Sequence, residues 1–329
     1  MEFKNFNDKA KIPVLGIGTG MGDWTIRDIS SDKKCIEALK TAIKFGITHI
    51  DTAELYGDGH AEELIGKAIK GINRKKLFIT TKVWKTHLKY NDVISAAKNS
   101  LKRLGVKYID LYLIHVPDPE TPLVETLWAM DFLVENKIVR FIGVSNFSIK
   151  LLRKAQSYTK NKIVANQVEY NLIKRKSEDG LLEYCQKNNT ILIAYQPVAG
   201  GKLAMPGFKV LDKLCEKYNK TQAQIAINWL ISKPNVITIP KTSNITHIKE
   251  NLGAIGWRLS KEDTKKLDKY FGKFWFFSNL LVKPVKIIKE ITHNILSIKQ
   301  KKKIKWAYDK IRDMIARLEK FFFNVVLFL

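Results

Sequence analysis

Residues 77–115, LFITTKVWKTHLKYNDVISAAKNSLKRLGVKYIDLYLIH, decide the fold. Leu77–Val83 is a short apolar and β-branched run of the length of a buried strand. Asp92–Leu104 is amphipathic and stops before Gly105, where the left-handed conformation costs a glycine little. Ile109–His115 is a second apolar run. Strand, helix and strand in succession predict a parallel pair joined by a helical crossover.

The same alternation extends in both directions. Further strands are expected at Gly16–Thr19, Ile47–Asp51, Val139–Ser145, Ile163–Val168, Ile191–Tyr195 and Val236–Ile239. Helices are expected at Asp32–Phe45, Ala61–Ile69, Pro122–Glu135, Glu178–Lys187 and Thr221–Ser232. Eight such units predict an α/β fold closed into a (β/α)8 TIM barrel. An open doubly wound sheet would need a GxGxxG turn after its first strand. Gly16–Gly22 is glycine-rich but lacks that spacing, and reads as a turn.

Composition narrows the class. The chain has 329 residues, 45% apolar and 27% charged, which suits a folded domain of this size. A net charge of +25 raises nucleic acid, an anionic cofactor or an anionic membrane as partners. No zinc-finger or RNA-binding aromatic motif is present, so nucleic acid is not expected. Cys35, Cys185 and Cys215 are odd in number and form no CxxC pair. Neither a disulfide framework nor a metal site is therefore expected, and a reducing compartment fits. The opening MEFKNFNDKAKIP is polar, and no apolar run reaches the ~18–20 residues of a membrane span, so a cytoplasmic protein is expected.

The chain changes character after Gly272. Residues 1–272 carry the barrel pattern, whereas 273–329 hold 13 Lys and Arg against 4 Asp and Glu. In that segment Ile304, Ile311, Leu318 and Val325 recur every seven residues, with Ala307, Met314, Phe321 and Phe328 three behind each. A basic amphipathic helical extension is expected. Such helices pack on the barrel, self-associate in a dimer seam, or lie peripherally on a membrane.

In a parallel barrel, chemistry gathers where the strands end. Three successive strands end in Asp51, Lys82 and His115. Singly, these read as a cap, a solvated lysine and a core histidine. Three in a row at one mouth read as a site.

Here the sequence resembles the aldo-keto reductase family, over Ile12 to about Ser260. Asp51–Thr52–Ala53 with Tyr56–Gly57, and Glu62–Glu63–Leu64–Ile65–Gly66, resemble its first signature. Thr80–Thr81–Lys82–Val83–Trp84 resembles its lysine strand, and Leu113–Ile114–His115 its histidine strand. Gly143–Val144–Ser145–Asn146–Phe147, Asn166–Gln167–Val168–Glu169–Tyr170–Asn171, Ala194–Tyr195 and Ile239–Pro240–Lys241–Thr242 continue the match. The resemblance implies an NAD(P)H-dependent reductase of small aldehydes or ketones. Tyr56 is implied as proton donor, assisted by Lys82 and Asp51, with His115 orienting the carbonyl. A free tyrosine has a pKa of ~10, and a lysine cation at ~4 Å would lower it by roughly three units at an effective dielectric of ~20.

The resemblance also implies the cofactor residues. Ser145, Asn146 and Gln167 match those that hold the nicotinamide carboxamide, and Tyr195 the aromatic beneath that ring. Lys241 and Thr242 match the site of the adenosine 2′-phosphate, with Glu250 and Asn251 toward the adenine. NADPH is implied, with NADH as the alternative, because His247 stands where the family often has arginine and a neutral imidazole holds phosphate more weakly. Trp24, Trp84 and Val116 are expected to line the substrate pocket; Val116 follows His115 where many members have tryptophan. Gln196 replaces the usual serine after the stacking tyrosine. The competing expectation is a regulatory or channel-associated barrel that binds cofactor and turns over little.

Overall fold

The computed structural model describes residues 1–7, 10–20, 29–273 and 310. It begins with an antiparallel hairpin of β1 (Phe3–Asn7) and β2 (Ala10–Pro13). Eight parallel strands follow, each beside the next in chain order: β3 (Gly16–Gly18), β4 (His49–Asp51), β5 (Phe78–Val83), β6 (Ile109–Ile114), β7 (Val139–Ser145), β8 (Ile163–Glu169), β9 (Ile191–Tyr195) and β10 (Val236–Thr238). Bridges Leu15–Thr238 and Gly18–Lys241 join the first stave to the last. Thr238 N donates to Val14 O at 3.0 Å, and Gly18 N to Pro240 O at 3.2 Å. The barrel is closed, as the eightfold alternation predicts.

Helices α1 (Asp32–Lys44), α2 (His60–Ile69), α3 (Tyr90–Leu104), α4 (Leu123–Glu135), α5 (Ile149–Gln156), α6 (Leu181–Lys187), α7 (Lys209–Tyr218), α8 (Gln222–Ile231) and α9 (Ile245–Leu252) run outside it. The expected elements appear with ends shifted by at most three residues. The hairpin and α5, α7 and α9 are additions. The hairpin buries only Phe6, Ile12 and Pro13 among its apolar side chains, too few to leave a periodic signal.

Strand side chains alternate between two layers. Outward ones such as Ile79, Tyr112, Ile114 and Val144 pack under the helices. Inward ones fill the barrel with Phe78, Leu111, Leu113, Ile191, Ile193 and Ile237. Phe6 closes the base, its ring edge-on to Phe141 at 4.8 Å and to Phe78 at 6.4 Å. Gly143 is the one residue that fits its stave: a Cβ there would lie 2.6 Å from the Leu113 side chain and 2.8 Å from Ala165 O. Toward the strand ends the inward positions become polar, which is what builds the site.

A last helix over 261–273 completes the barrel wall. Phe271 is buried against Phe208 at 5.2 Å. Arg175 clamps this helix to the segment after β8, donating to Asp268 Oδ1 at 2.8 Å and Glu178 Oε2 at 2.7 Å. Apart from Lys273 and Lys310, the expected extension 273–329 lies outside the described residues. Among the described residues, no helix is long and apolar enough to cross a membrane.

Candidate active site

Asp51 ends β4 and Lys82 lies near the end of β5, both inward and buried. Lys82 Nζ donates to Asp51 Oδ1 at 2.6 Å and to Thr52 O at 2.6 Å. Burial by itself would strip a proton from this lysine. Asp51 and the Tyr56 hydroxyl outweigh that effect, and the Lys82 pKa lies above that of free lysine. The other oxygen of Asp51 accepts from Gln167 Nε2 at 2.7 Å, so β8 reaches across the mouth to steady the carboxylate.

Tyr56 sits in the turn after β4, hydrogen-bonded to Lys82, whose Nζ is 5.1 Å from the ring centre. Burial pushes the phenol above its ordinary value and outweighs the lowering by Lys82. The depression expected from the lysine charge alone is thus more than cancelled by desolvation. The glycine-rich run has a packing role here: a Cβ on Gly20 would stand 3.2 Å from the Tyr56 ring.

His115 follows β6 and meets the Tyr56 ring edge-on at 5.7 Å. Burial first, then the Lys82 charge, push its pKa down to about 3, so its imidazole is neutral. Trp84 also meets the imidazole edge-on, at 5.1 Å. The four residues expected from three strand ends and a turn thus meet at one mouth. Trp84 and Val116 are half-buried beside them. Trp24 lies outside the described residues.

The expected cofactor residues fall into two groups. Ser145 Oγ donates to Gln167 O at 3.0 Å, and Asn146 Nδ2 donates to Ser145 Oγ at 3.0 Å and His115 O at 3.1 Å. Asn146 has φ +64°, a left-handed conformation that asparagine tolerates, and its Oδ1 accepts from the Tyr195 hydroxyl at 3.1 Å. The second group surrounds α9: Lys241 and Thr242 precede it, and His247, Glu250 and Asn251 lie along it. Asn244 caps its first turn through Thr246 N at 2.9 Å, Lys241 and His247 are exposed, and Asn251 is buried.

Three supports were not foreseen. Glu54 is buried and accepts from Trp84 N at 2.5 Å and contacts His87 Nδ1 at 3.1 Å, fixing the Trp84 wall. Gln167 was expected to serve only the cofactor, yet it also holds Asp51. His49, one inward position below Asp51, lies fully buried with Nε2 3.0 Å from Thr80 Oγ1. A buried Glu two positions before a motif tyrosine was the only visible signal, and its partner at Trp84 is distant in sequence.

The family model of the aldo/keto reductase family matches residues 14–271. The chain belongs to that family. This aldo-keto reductase is 34% identical over 271 residues to the methylglyoxal reductase YeaE of Escherichia coli, covering 81% of this chain and 93% of that one. Its structure is similar to that of a thermostable aldo-keto reductase, Tm1743, with 48% identity, a TM-score of 0.79, and coverage of 82% of this chain and 99% of the other. It is also similar to an aldo-keto reductase from Klebsiella pneumoniae solved in complex with NADPH, at 34% identity and a TM-score of 0.74, covering 82% and 96%. Both structures extend the match in sequence to the whole barrel.

Proposed function

We propose that this aldo-keto reductase reduces small aldehydes and ketones at the barrel mouth, with Tyr56 as the proton donor. The observation that carries the reading is the buried Lys82, 2.6 Å from Asp51 and hydrogen-bonded to Tyr56, with neutral His115 alongside. NADPH, when bound, supplies the hydride to the carbonyl carbon. Tyr56 delivers a proton to the carbonyl oxygen, and Lys82 steadies the negative charge that develops there. A neutral His115 donates a hydrogen bond to the same oxygen and turns the carbonyl toward the cofactor face, while Trp84 and Val116 exclude water.

The donor set suits the cofactor. Ser145, Asn146 and Gln167 present amide and hydroxyl groups to a carboxamide, and Tyr195 offers a half-buried ring. Lys241 and Thr242 at the start of α9 combine a cation, a hydroxyl and free helix amides, which is the chemistry of a phosphate site. Similarity to a methylglyoxal reductase supports a small, reactive carbonyl as substrate.

Stopped-flow oxidation of NADPH by a panel of aldehydes including methylglyoxal tests the reading. Tyr56→Phe should lower turnover at least about 100-fold, the usual worth of a positioned general acid, and leave NADPH affinity within a few-fold. Lys82→Met should be nearly as damaging. Retention of a tenth of the turnover by Tyr56→Phe would remove that residue from the reaction. No aldehyde-dependent oxidation by the parent would favour a regulatory barrel instead. For residues 273–329 we propose reversible attachment to a membrane or pairing of two copies; sedimentation velocity of the full chain, with and without anionic vesicles, separates the two.

A further inference from the structure

In a parallel barrel every turn that enters a strand opens on one end and every turn that leaves a strand opens on the other. The seven turns entering β4 to β10 span 45–48, 70–77, 105–108, 136–138, 157–162, 188–190 and 232–235. Together they hold 9 Lys and Arg and no acid. The mouth-side segments 52–59, 84–89, 115–122, 146–148, 170–180, 196–208 and 239–244 hold 7 bases against 6 acids. A general lysine bias would charge both ends alike. Here the excess sits on the end away from the candidate site.

Several cations at this end are neutralised: Arg74 and Arg140 pair with Asp110, Arg103 with Glu62, Lys160 with Glu135 and Lys187 with Glu183, and Lys233 lies within 4.0 Å of Glu178 and Asp268. Lys70, Lys75, Lys76, Lys107, Lys137 and Lys162 are exposed and form no ion pair among the described residues. The same end carries large exposed apolar side chains, Met1 at 42%, Phe3 at 43% and Phe45 at 39%. Lys11 Nζ stands 4.6 Å from the Phe3 ring centre, and Lys249 Nζ 5.6 Å from that of Phe45. Between the starts of β6 and β7 and the end of α4 lies a cleft of about 620 Å³. Lys107, Lys137 and Arg140 rim it over Tyr108, Val134 and Phe141.

We propose that this N-terminal face of the barrel docks on an anionic phospholipid surface and leaves the mouth open to solution. Lysines paired with exposed rings suit a boundary where phosphate meets acyl chain: the ammonium takes the headgroup and the ring enters the apolar layer. A nucleic acid would engage the lysines but leave Met1, Phe3 and Phe45 without a role. The chain's own residues 273–329 are the poorer match to this face because they carry like charge, 13 bases against 4 acids. They would instead be drawn to the same surface.

The test is co-sedimentation of the full chain with phosphatidylcholine vesicles, with and without one-third phosphatidylserine, at low and high salt. The parent should bind only the anionic vesicles and release at high salt. The triple variant Lys75→Glu, Lys76→Glu, Lys137→Glu should lose at least about 100-fold in partitioning, since each neighbouring charge is worth about fivefold. Phe3→Ser with Phe45→Ser should lose about tenfold. A mouth-side triple of the same charge, Lys89→Glu, Lys174→Glu, Lys202→Glu, should stay within a few-fold of the parent. Equal losses in both triples would assign binding to net charge, and no loss in either would assign it to residues 273–329; each overturns the proposal. Tighter binding of duplex DNA than of anionic vesicles overturns it too. If the first triple melts early, Lys107→Gln with Lys162→Gln decides, with an expected loss of about 25-fold.

Discussion

Lys82 Nζ donates to Asp51 Oδ1 and Thr52 O at 2.6 Å each and interacts with the Tyr56 hydroxyl, its Nζ 5.1 Å from that ring's centre. Its direction is therefore overdetermined, and the proton on Tyr56 sees a fixed cation rather than a wandering one. Burial nonetheless dominates the phenol: its pKa rises above the ordinary ~10 because desolvation exceeds the help from Lys82. In the proposed mechanism reduction uses the protonated phenol, so a raised pKa would extend the active form to higher pH. The single-turnover rate of NADPH-loaded enzyme should stay flat through neutrality and fall only above about pH 10. His115, at about 3, should contribute no limb near neutrality. An inflection between about pH 6 and 7, where a free histidine titrates, would contradict the neutral, buried imidazole. Residue identities at the strand ends were legible because a polar residue closing an apolar run is conspicuous. The Gln167–Asp51 bond was not, since it joins residues 116 positions apart.

At the scale of elements, β10 and α9 place Lys241, Thr242 and His247 around one helix start, with Lys241 bridged to Gly18 of β3. A helix start favours anions through its unpaired amides and dipole, and a lysine adds the charge that distinguishes a 2′-phosphate from a hydroxyl. Lys241→Ala should weaken NADPH far more than NADH in fluorescence titrations of both. His247→Arg should shift preference toward NADPH by about 1–2 kcal/mol, the worth of a charge-assisted hydrogen bond. Equal losses of both cofactors in Lys241→Ala would put the 2′-phosphate elsewhere. The helix itself was not delineated from sequence: its eight residues include only two buried side chains, Ile248 and Asn251, too few for a periodic stripe.

The whole barrel carries an acid liability in its interior. His49 is fully buried beneath Asp51, and burial, with Lys82 adding to it, pushes its pKa down to about 3. Gly16 is shaped to it, since a Cβ there would lie 2.7 Å from His49 Nδ1. In the unfolded chain this histidine titrates near ~6.5. Between about pH 6.5 and 3 the unfolded state therefore binds a proton that the folded state refuses, and stability is lost as pH falls through that window. Denaturant unfolding from pH 7 to 4 should show a steeper loss for the parent than for His49→Gln, by about one proton per molecule. Identical slopes would mean that His49 accepts a proton inside the folded barrel.

Fold class and strand order were readable in the chain, because hydrophobic period and turn chemistry are local and repeat eight times. The strand ends also marked Asp51, Lys82 and His115 as candidates, with Tyr56 added by the family resemblance. Each inward strand end advertises itself by one polar residue. Other features depended on where distant segments meet. Closure through Leu15 and Thr238, the Phe6 plug and the Glu54 brace on Trp84 are contacts between residues far apart in sequence. The direction of the Tyr56 shift is of the same kind: Lys82 and its sign are written in the sequence, but the desolvation that outweighs it exists only once the barrel excludes water. The charge asymmetry between the two ends also waited for the fold, since lysines scattered through the chain share a face only when parallel closure sends every entering turn to one end.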